Sequence, residues 1–128
     1  MQYFVTGGTG FIGKRLIAKL LKRADSRVFV LVRDASPERM APLYEYWDCD
    51  AKRVTPVVGD LTQELLGVSA ADRRKIGKRT THFFHLAAIY DLAADAESQI
   101  RVNVEGTRNA VRFAEAIGAG HFHHISSI

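Results

Sequence analysis

Three features that would point to particular protein classes are scarce or missing. Cys49 is the only cysteine, so no disulfide can form within the chain and a reducing, cytoplasmic compartment is expected. No apolar run approaches the length of a membrane span, and the first residues already have strand character, so neither a membrane span nor a signal peptide is expected. No dense basic block is interleaved with aromatic residues, so binding to nucleic acid is not expected.

The composition is that of a folded domain. Of the 128 residues, 47% are apolar and 25% are charged, which suits one domain with a real hydrophobic core. The net charge of +4 is spread along the chain. We interpret it as a solvated surface with some attraction for phosphorylated ligands.

The most informative segment is rich in glycine. Residues 6–13 read Thr-Gly-Gly-Thr-Gly-Phe-Ile-Gly; they follow an apolar run, residues 3–5, and precede an amphipathic stretch. A strand, a glycine turn and a helix start in this order bind the pyrophosphate of a dinucleotide. Two glycine spacings overlap here, one beginning at Gly7 and one at Gly8. Amide groups at positions 10–12 are expected to point at the phosphates. The apolar residues expected on the buried face of the helix are Phe11, Ile12, Leu16, Ile17, Leu20 and Leu21.

Strand and helix patterns alternate five times along the chain. The four later strands are predicted at Val28 to Val32, Val54 to Val58, His82 to Ala88 and Phe122 to Ser126. Pro56 suggests an edge position for the third strand. Helices are predicted after Ser36, at residues 70–77 and from Ala94 to Ile117, with Pro42 interrupting the first of them. The pattern predicts an α/β, doubly wound parallel sheet of the Rossmann type in the order 3-2-1-4-5, with a ligand across strands 1 and 4.

Several motifs together resemble the N-terminal part of an extended short-chain dehydrogenase/reductase. They are the glycine turn, Gly59-Asp60-Leu61, His85-Leu86-Ala87-Ala88, residues 103–107 (Asn-Val-Glu-Gly-Thr) and Ile125-Ser126-Ser127. Within that family they are most similar to the fatty-acyl thioester reductase branch. Sugar-nucleotide epimerases or dehydratases and hydroxysteroid dehydrogenases remain alternatives. The resemblance implies that residues 1–128 are the NAD(P)-binding Rossmann domain of a larger reductase, which would act on a fatty-acyl thioester or related carbonyl.

The resemblance also implies roles for individual residues. Asp60 and Leu61 would border the adenine, Asn103 would hold a water of a proton relay, and Tyr90 would lie near the nicotinamide. The glycine turn and the resemblance together give these cofactor-binding residues: Gly7, Gly8, Thr9, Gly10, Phe11, Ile12, Gly13, Arg33, Asp60, Leu61, Leu86, Ala87, Ala88, Tyr90 and Asn103.

Arg33 decides the expected cofactor. It ends the second strand, where a guanidinium suits the 2′-phosphate of NADP and an acid would suit the 2′-hydroxyl of NAD. NADP is therefore expected, and the neighbouring Asp34 keeps NAD as the alternative.

The catalytic groups are less complete. A substrate-binding serine is expected at Ser127, with Ser126 as second choice. None of the four tyrosines is followed by a lysine four residues later, so the chain is expected to be incomplete on its C-terminal side and inactive alone. An uncovered fifth strand would favour self-association into a homo-oligomer. A non-catalytic dinucleotide-binding module is the alternative from another class.

Histidines cluster late in the chain at positions 82, 85, 121, 123 and 124. His121 and His123 share a strand face, which makes a metal site conceivable. No acid or cysteine completes a ligand set nearby, so no metal site is expected.

Overall fold

The structure is a computed structural model that describes residues 1–86 and 95–125. Within these ranges five strands form one parallel sheet in the order β3-β2-β1-β4-β5, so the predicted topology is confirmed. The strands are β1 (Gln2–Thr6), β2 (Arg27–Val32), β3 (Val54–Val58), β4 (Thr80–His85) and β5 (His121–His124). The winding reverses between β1 and β4, as it does in doubly wound folds.

Four α-helices connect the strands in the described ranges. They are α1 (Phe11–Leu20), α2 (Pro37–Trp47), α3 (Ala70–Ile76) and α4 (Ala96–Ala116), and a 3-10 turn at Glu64–Gly67 precedes α3. The hydroxyl of Ser69 accepts a hydrogen bond from the amide of Asp72 at 3.1 Å, which caps α3 as its sequence predicts. Gly118, with φ +66°, follows the end of α4. No helix in this part of the chain is long and apolar enough to cross a membrane.

Both faces of the sheet are apolar because β1 and β2 consist mostly of consecutive apolar residues, and successive residues point to opposite sides. Phe4, Phe29 and Phe83 pack with residues of α3 and α4 on one face. Val5, Val28 and Val30 pack with residues of α1 and α2 on the other. The continuous apolar strands of the sequence therefore correspond to a sheet covered on two sides.

The predicted interruption of the second helix is wrong. Helix α2 continues across Pro42 to Trp47. It begins at Pro37, so Pro42 loses only the one hydrogen bond that its missing N–H would have donated near the start of the helix. Burial of Met40 and Trp47 against the sheet holds the helix together.

The observed ends of the fourth and fifth strands differ from the predicted ends. Strand β4 begins at Thr80 and ends at His85, and β5 begins at His121 and ends at His124. Pairing with neighbouring strands set these ends: Thr80 is opposite Gln2 of β1, and His121 is opposite His82 of β4. Hydrophobicity alone does not report such register.

Candidate functional site

The glycine turn after β1 gives each glycine a separate physical role. Gly7 has φ +73°, a left-handed conformation that favours glycine. A Cβ on Gly8 would lie 2.6 Å from Cγ2 of Val30, and a Cβ on Gly13 would collide with the carbonyl oxygen of Gly7. The sharp turn therefore depends on the positive φ of Gly7. The missing side chains of Gly8 and Gly13 let α1 lie directly against the strands.

Gly10 differs from its neighbours because no protein atom in the described ranges requires it to be glycine. Its nearest neighbour for an added Cβ is the carbonyl oxygen of Gly7 at 3.5 Å, an ordinary contact. Gly10 is the N-cap of α1, and it has no side chain to cap the first N–H groups of that helix. The space over Gly10 is thus open in front of the first helical amides, which is what an approaching phosphate requires.

The predicted buried face of α1 is only partly right. Ile17 is fully buried, but Phe11 and Ile12 are 67% and 58% exposed. They lie in the first turn of the helix. The guanidinium of Arg15 lies over the Phe11 ring, 4.1 Å from its centroid. Periodicity placed both residues on the apolar face of the helix, but periodicity does not show which part of that face is covered in the folded chain.

A cavity of about 750 Å³ opens above the carboxyl ends of β1, β2 and β3. It brings together five of the sequence-predicted residues: Gly7, Thr9, Arg33, Asp60 and Leu61. Its other lining residues are Leu31, Val32, Asp34, Arg39, Met40, Pro42, Leu43, Gly59 and Thr62. The predicted position across β1 and β4 stays a prediction, because residues 87–94, which follow β4, lie outside the described ranges.

Two ion pairs lie on the wall of this cavity. The guanidinium of Arg33 is 3.7 Å from the carboxylate of Asp60, and that of Arg39 is 3.8 Å from the carboxylate of Asp34. Both arginine side chains are largely exposed, at 84% and 75%. Exposed pairs at such distances contribute little to stability, so both guanidinium groups can turn towards a ligand at small cost.

Arg39 is a candidate that the sequence reasoning missed. A signal was present, since Ser36 and Pro37 mark the start of α2 and place residue 39 in its first turn, next to the end of β2. The acid beside it, Asp34, is engaged locally. One of its oxygens accepts a hydrogen bond from the Ser36 amide at 2.8 Å, and the other faces Arg39.

Asp60 is held by its own turn. Its Oδ1 accepts hydrogen bonds from the amide and the hydroxyl of Thr62, at 2.9 and 2.8 Å. These bonds lower the pKa of the Asp60 carboxyl below its usual value, and the Arg33 guanidinium contributes in the same direction. The carboxylate is therefore charged at neutral pH and keeps a fixed orientation at the rim of the cavity.

His85 is a buried polar residue whose role the sequence did not reveal. It ends β4, is 1% exposed, and bridges Thr6 Oγ1 at 2.6 Å and Thr107 Oγ1 at 3.3 Å. Burial lowers the pKa of His85 to about 4, with a smaller contribution from His124. The neutral imidazole thus connects the residue before the glycine turn to α4.

The remaining predicted residues lie elsewhere. Leu86 follows β4, and its amide donates to the carbonyl of Thr6 at 3.1 Å. The side-chain amide of Asn103 donates to the carbonyl of Gln99 at 3.0 Å, one turn earlier in α4. The following predicted residues lie outside the described ranges: Ala87, Ala88, Tyr90, Ser126 and Ser127.

The late histidines form a stack of rings across β4 and β5. The His82 and His121 rings are 4.8 Å apart with 17° between their planes, and His82 Nδ1 is 3.2 Å from His123 Nε2. Within residues 1–86 and 95–125, no group of three or more His, Cys, Asp or Glu side chains could hold a metal ion.

With this geometry established, similarity to known proteins identifies the family. Residues 5–128 match the NAD-binding family described as male sterility protein. The chain belongs to this family. It is the N-terminal portion of an extended short-chain dehydrogenase/reductase, an oxidoreductase family whose cofactor is a nicotinamide dinucleotide.

Individual relatives agree with this assignment. The chain is 33% identical over 132 residues to a linear gramicidin synthase of Brevibacillus parabrevis, covering 97% of this chain and 3% of that protein. It is 28% identical to fatty acyl-CoA reductase wat of Drosophila melanogaster, covering 89% of this chain and 25% of that protein. Among solved structures, the terminal R domain from the myxalamid PKS-NRPS biosynthetic pathway superposes with a TM-score of 0.77 at 30% identity, covering 99% of this chain and 34% of that one. The chain therefore spans about a third or less of each of these proteins.

Proposed function

We propose that this reductase portion binds NADP(H) and presents its nicotinamide for hydride transfer to a fatty-acyl thioester or a related carbonyl. The observation that carries the proposal is the placement of Arg33 and Arg39 together on the wall of the cavity above β2. Two guanidinium groups match the charge and the forked geometry of a 2′-phosphate.

Residues of the glycine turn and of the segment after β3 would hold the remaining parts of the cofactor. The open space at Gly10 and the first amides of α1 would hold the pyrophosphate. Asp60 and Leu61 would border the adenine, where the Asp60 carboxylate can accept a hydrogen bond from the amino group. The bound nicotinamide supplies the hydride, and the residues of this chain supply orientation and charge.

Asp34 makes NAD the second candidate, as in an epimerase or dehydratase. Its side chain is on the cavity wall. One of its oxygens accepts a hydrogen bond from the Ser36 amide, and the other lies 3.8 Å from the exposed Arg39 guanidinium. Because a carboxylate has about four lone-pair sites, Asp34 could still accept a hydrogen bond from a ribose 2′-hydroxyl.

The proposed substrate class is supported by the relatives of this chain. They include fatty acyl-CoA reductases and reductase domains of nonribosomal peptide synthetases. Ser127, and after it Ser126, remain our candidates for binding the substrate oxygen. No tyrosine–lysine pair spaced by four residues occurs in the 128 residues, so the proposal assigns cofactor binding, and not the proton donor, to these residues. A non-catalytic dinucleotide-binding module would use the same cavity.

The experiment is a titration of the chain with NADPH and with NADH, followed by nicotinamide fluorescence. We expect saturable binding of both with NADPH preferred. Equal affinity for the two would overturn the assignment of NADP, and a folded chain that binds neither at millimolar concentration would overturn the whole proposal.

A further inference from the structure

Helix α4 holds the cavity wall through a buried amide. Asn109 is 4% exposed, and its Nδ2 donates a hydrogen bond of 2.7 Å to the carbonyl oxygen of Leu61. The two residues are 48 positions apart in the chain. The bond therefore joins α4 to the segment that follows β3.

That segment is part of the cavity wall and is folded tightly upon itself. Its residues 59–62 line the cavity. The amide of Asp60 donates to the carbonyl oxygen of Leu66 at 2.7 Å. Leu65 and Leu66 both have positive φ, 49° and 56°, which costs free energy for residues other than glycine. A loop in such a conformation keeps its shape only where surrounding contacts fix it.

Asn109 is a polar residue on a face of α4 that is otherwise apolar. Its neighbours on that face, Ala110, Phe113 and Ala114, are buried and belong to the apolar core. Burying an amide there is unfavourable unless it makes a directed hydrogen bond. The bond that it makes ends on Leu61, between Asp60 and Thr62, whose own hydrogen bonds orient the Asp60 carboxylate.

We infer that Asn109 is a positioning residue for the adenine end of the dinucleotide. It acts through the Leu61 carbonyl. The hydrogen bond to this carbonyl fixes the position of the Asp60–Thr62 turn, and therefore the position of the Asp60 carboxylate, which would accept a hydrogen bond from the adenine amino group. This inference rests on the proposed cofactor site. It concerns only the adenine end, because the glycine turn is connected to α4 separately through His85 and Thr107.

The test compares NADPH with its deamino analogue, in which hypoxanthine replaces adenine. The wild-type chain is expected to prefer NADPH. Asn109→Leu removes the donor with similar side-chain volume, and it is expected to weaken NADPH about tenfold, or 1.4 kcal/mol, while changing affinity for the analogue far less. Asn109→Asp also lacks the donor at neutral pH, and its preference for adenine is expected to return as acidification protonates the new carboxyl. Arg108→Ala, on an exposed side chain of the same helix paired with Glu105, is the matched control.

A purely structural role predicts a different result. If Asn109→Leu weakens both nucleotides by the same factor, or leaves both unchanged, the inference is wrong although NADPH binding stands. If the wild type binds neither nucleotide, the proposed function fails first.

A measurement on the wild-type chain covers the case in which both variants fail to fold. The side-chain amide resonances of Asn109 should shift in NMR spectra on adding 2′,5′-ADP but not inorganic pyrophosphate. Unchanged resonances with 2′,5′-ADP would overturn the inference.

Discussion

The hydroxyl oxygen of Thr6 lies 2.6 Å from Nδ1 of His85. Thr6 is the last residue of β1 and His85 the last of β4, so the contact joins the two strands where the winding of the sheet reverses. Gly7, whose positive φ makes the glycine turn, follows Thr6 directly. A buried neutral imidazole thus supports the backbone on which the proposed pyrophosphate site depends.

His85 should make stability depend on pH in a defined window. Its pKa is lowered to about 4 in the folded chain from its usual value of 6.5, so the neutral form is favoured by folding. This contribution to the free energy of unfolding is present above pH 6.5 and is lost as pH falls towards about 4, for a total of about 3 kcal/mol. Urea unfolding of the wild type and of His85→Gln from pH 7 to pH 4 measures it. A difference between the two that does not change with pH would contradict the prediction.

Substitution by alanine should affect stability strongly at Gly13 and only weakly at Gly10. Gly13→Ala places a methyl group against the Gly7 carbonyl and should lower the free energy of unfolding by about 2 kcal/mol or more. Gly10→Ala meets only an ordinary contact and should lower it by less than about 1 kcal/mol. NADPH affinity should nevertheless fall in Gly10→Ala, because the methyl group occupies the space of the phosphates. Thermal unfolding with NADPH titration separates the two effects, and normal NADPH binding by Gly10→Ala would count against the pyrophosphate site.

Removing either cavity arginine should select against NADPH. Arg33→Ala and Arg39→Ala each lose a charge-assisted contact to the 2′-phosphate, so NADPH affinity should fall by about 1–3 kcal/mol and NADH affinity far less. Arg23→Ala, an exposed arginine in a surface pair with Asp25, is the control and should change neither. Equal losses for the two nucleotides would rule out a 2′-phosphate role.

Strand β5 should promote self-association at high concentration. It is one of the two edge strands of the described sheet, and three of its four side chains are exposed. An unpaired edge can add a strand from a second copy, and a lysine there opposes such pairing. Light scattering should show association of the wild type that is reduced in His123→Lys but not in the control Ala116→Lys on α4. A monomer at all concentrations would contradict this expectation.

Local patterns predicted the elements but not the details of the site. The glycine turn, the apolar strands and the capped start of α3 each depend on neighbours in the sequence, so they were identified correctly together with the strand order. The continuity of α2 across Pro42 and the exposure of Phe11 and Ile12 were not, because both depend on which surfaces the sheet covers.

The sequence by itself determined the fold class, the family and the place of the glycine turn, since these depend on glycine spacing and on the alternation of apolar segments. Only the tertiary structure showed which of the two overlapping glycine patterns makes the turn, that Arg39 faces Asp34 beside Arg33, and that Asn109 holds Leu61 across 48 residues. Of these features, the Asn109–Leu61 bond joins segments that are distant in the chain. All three depend on backbone conformation and packing in three dimensions, which residue order does not specify locally.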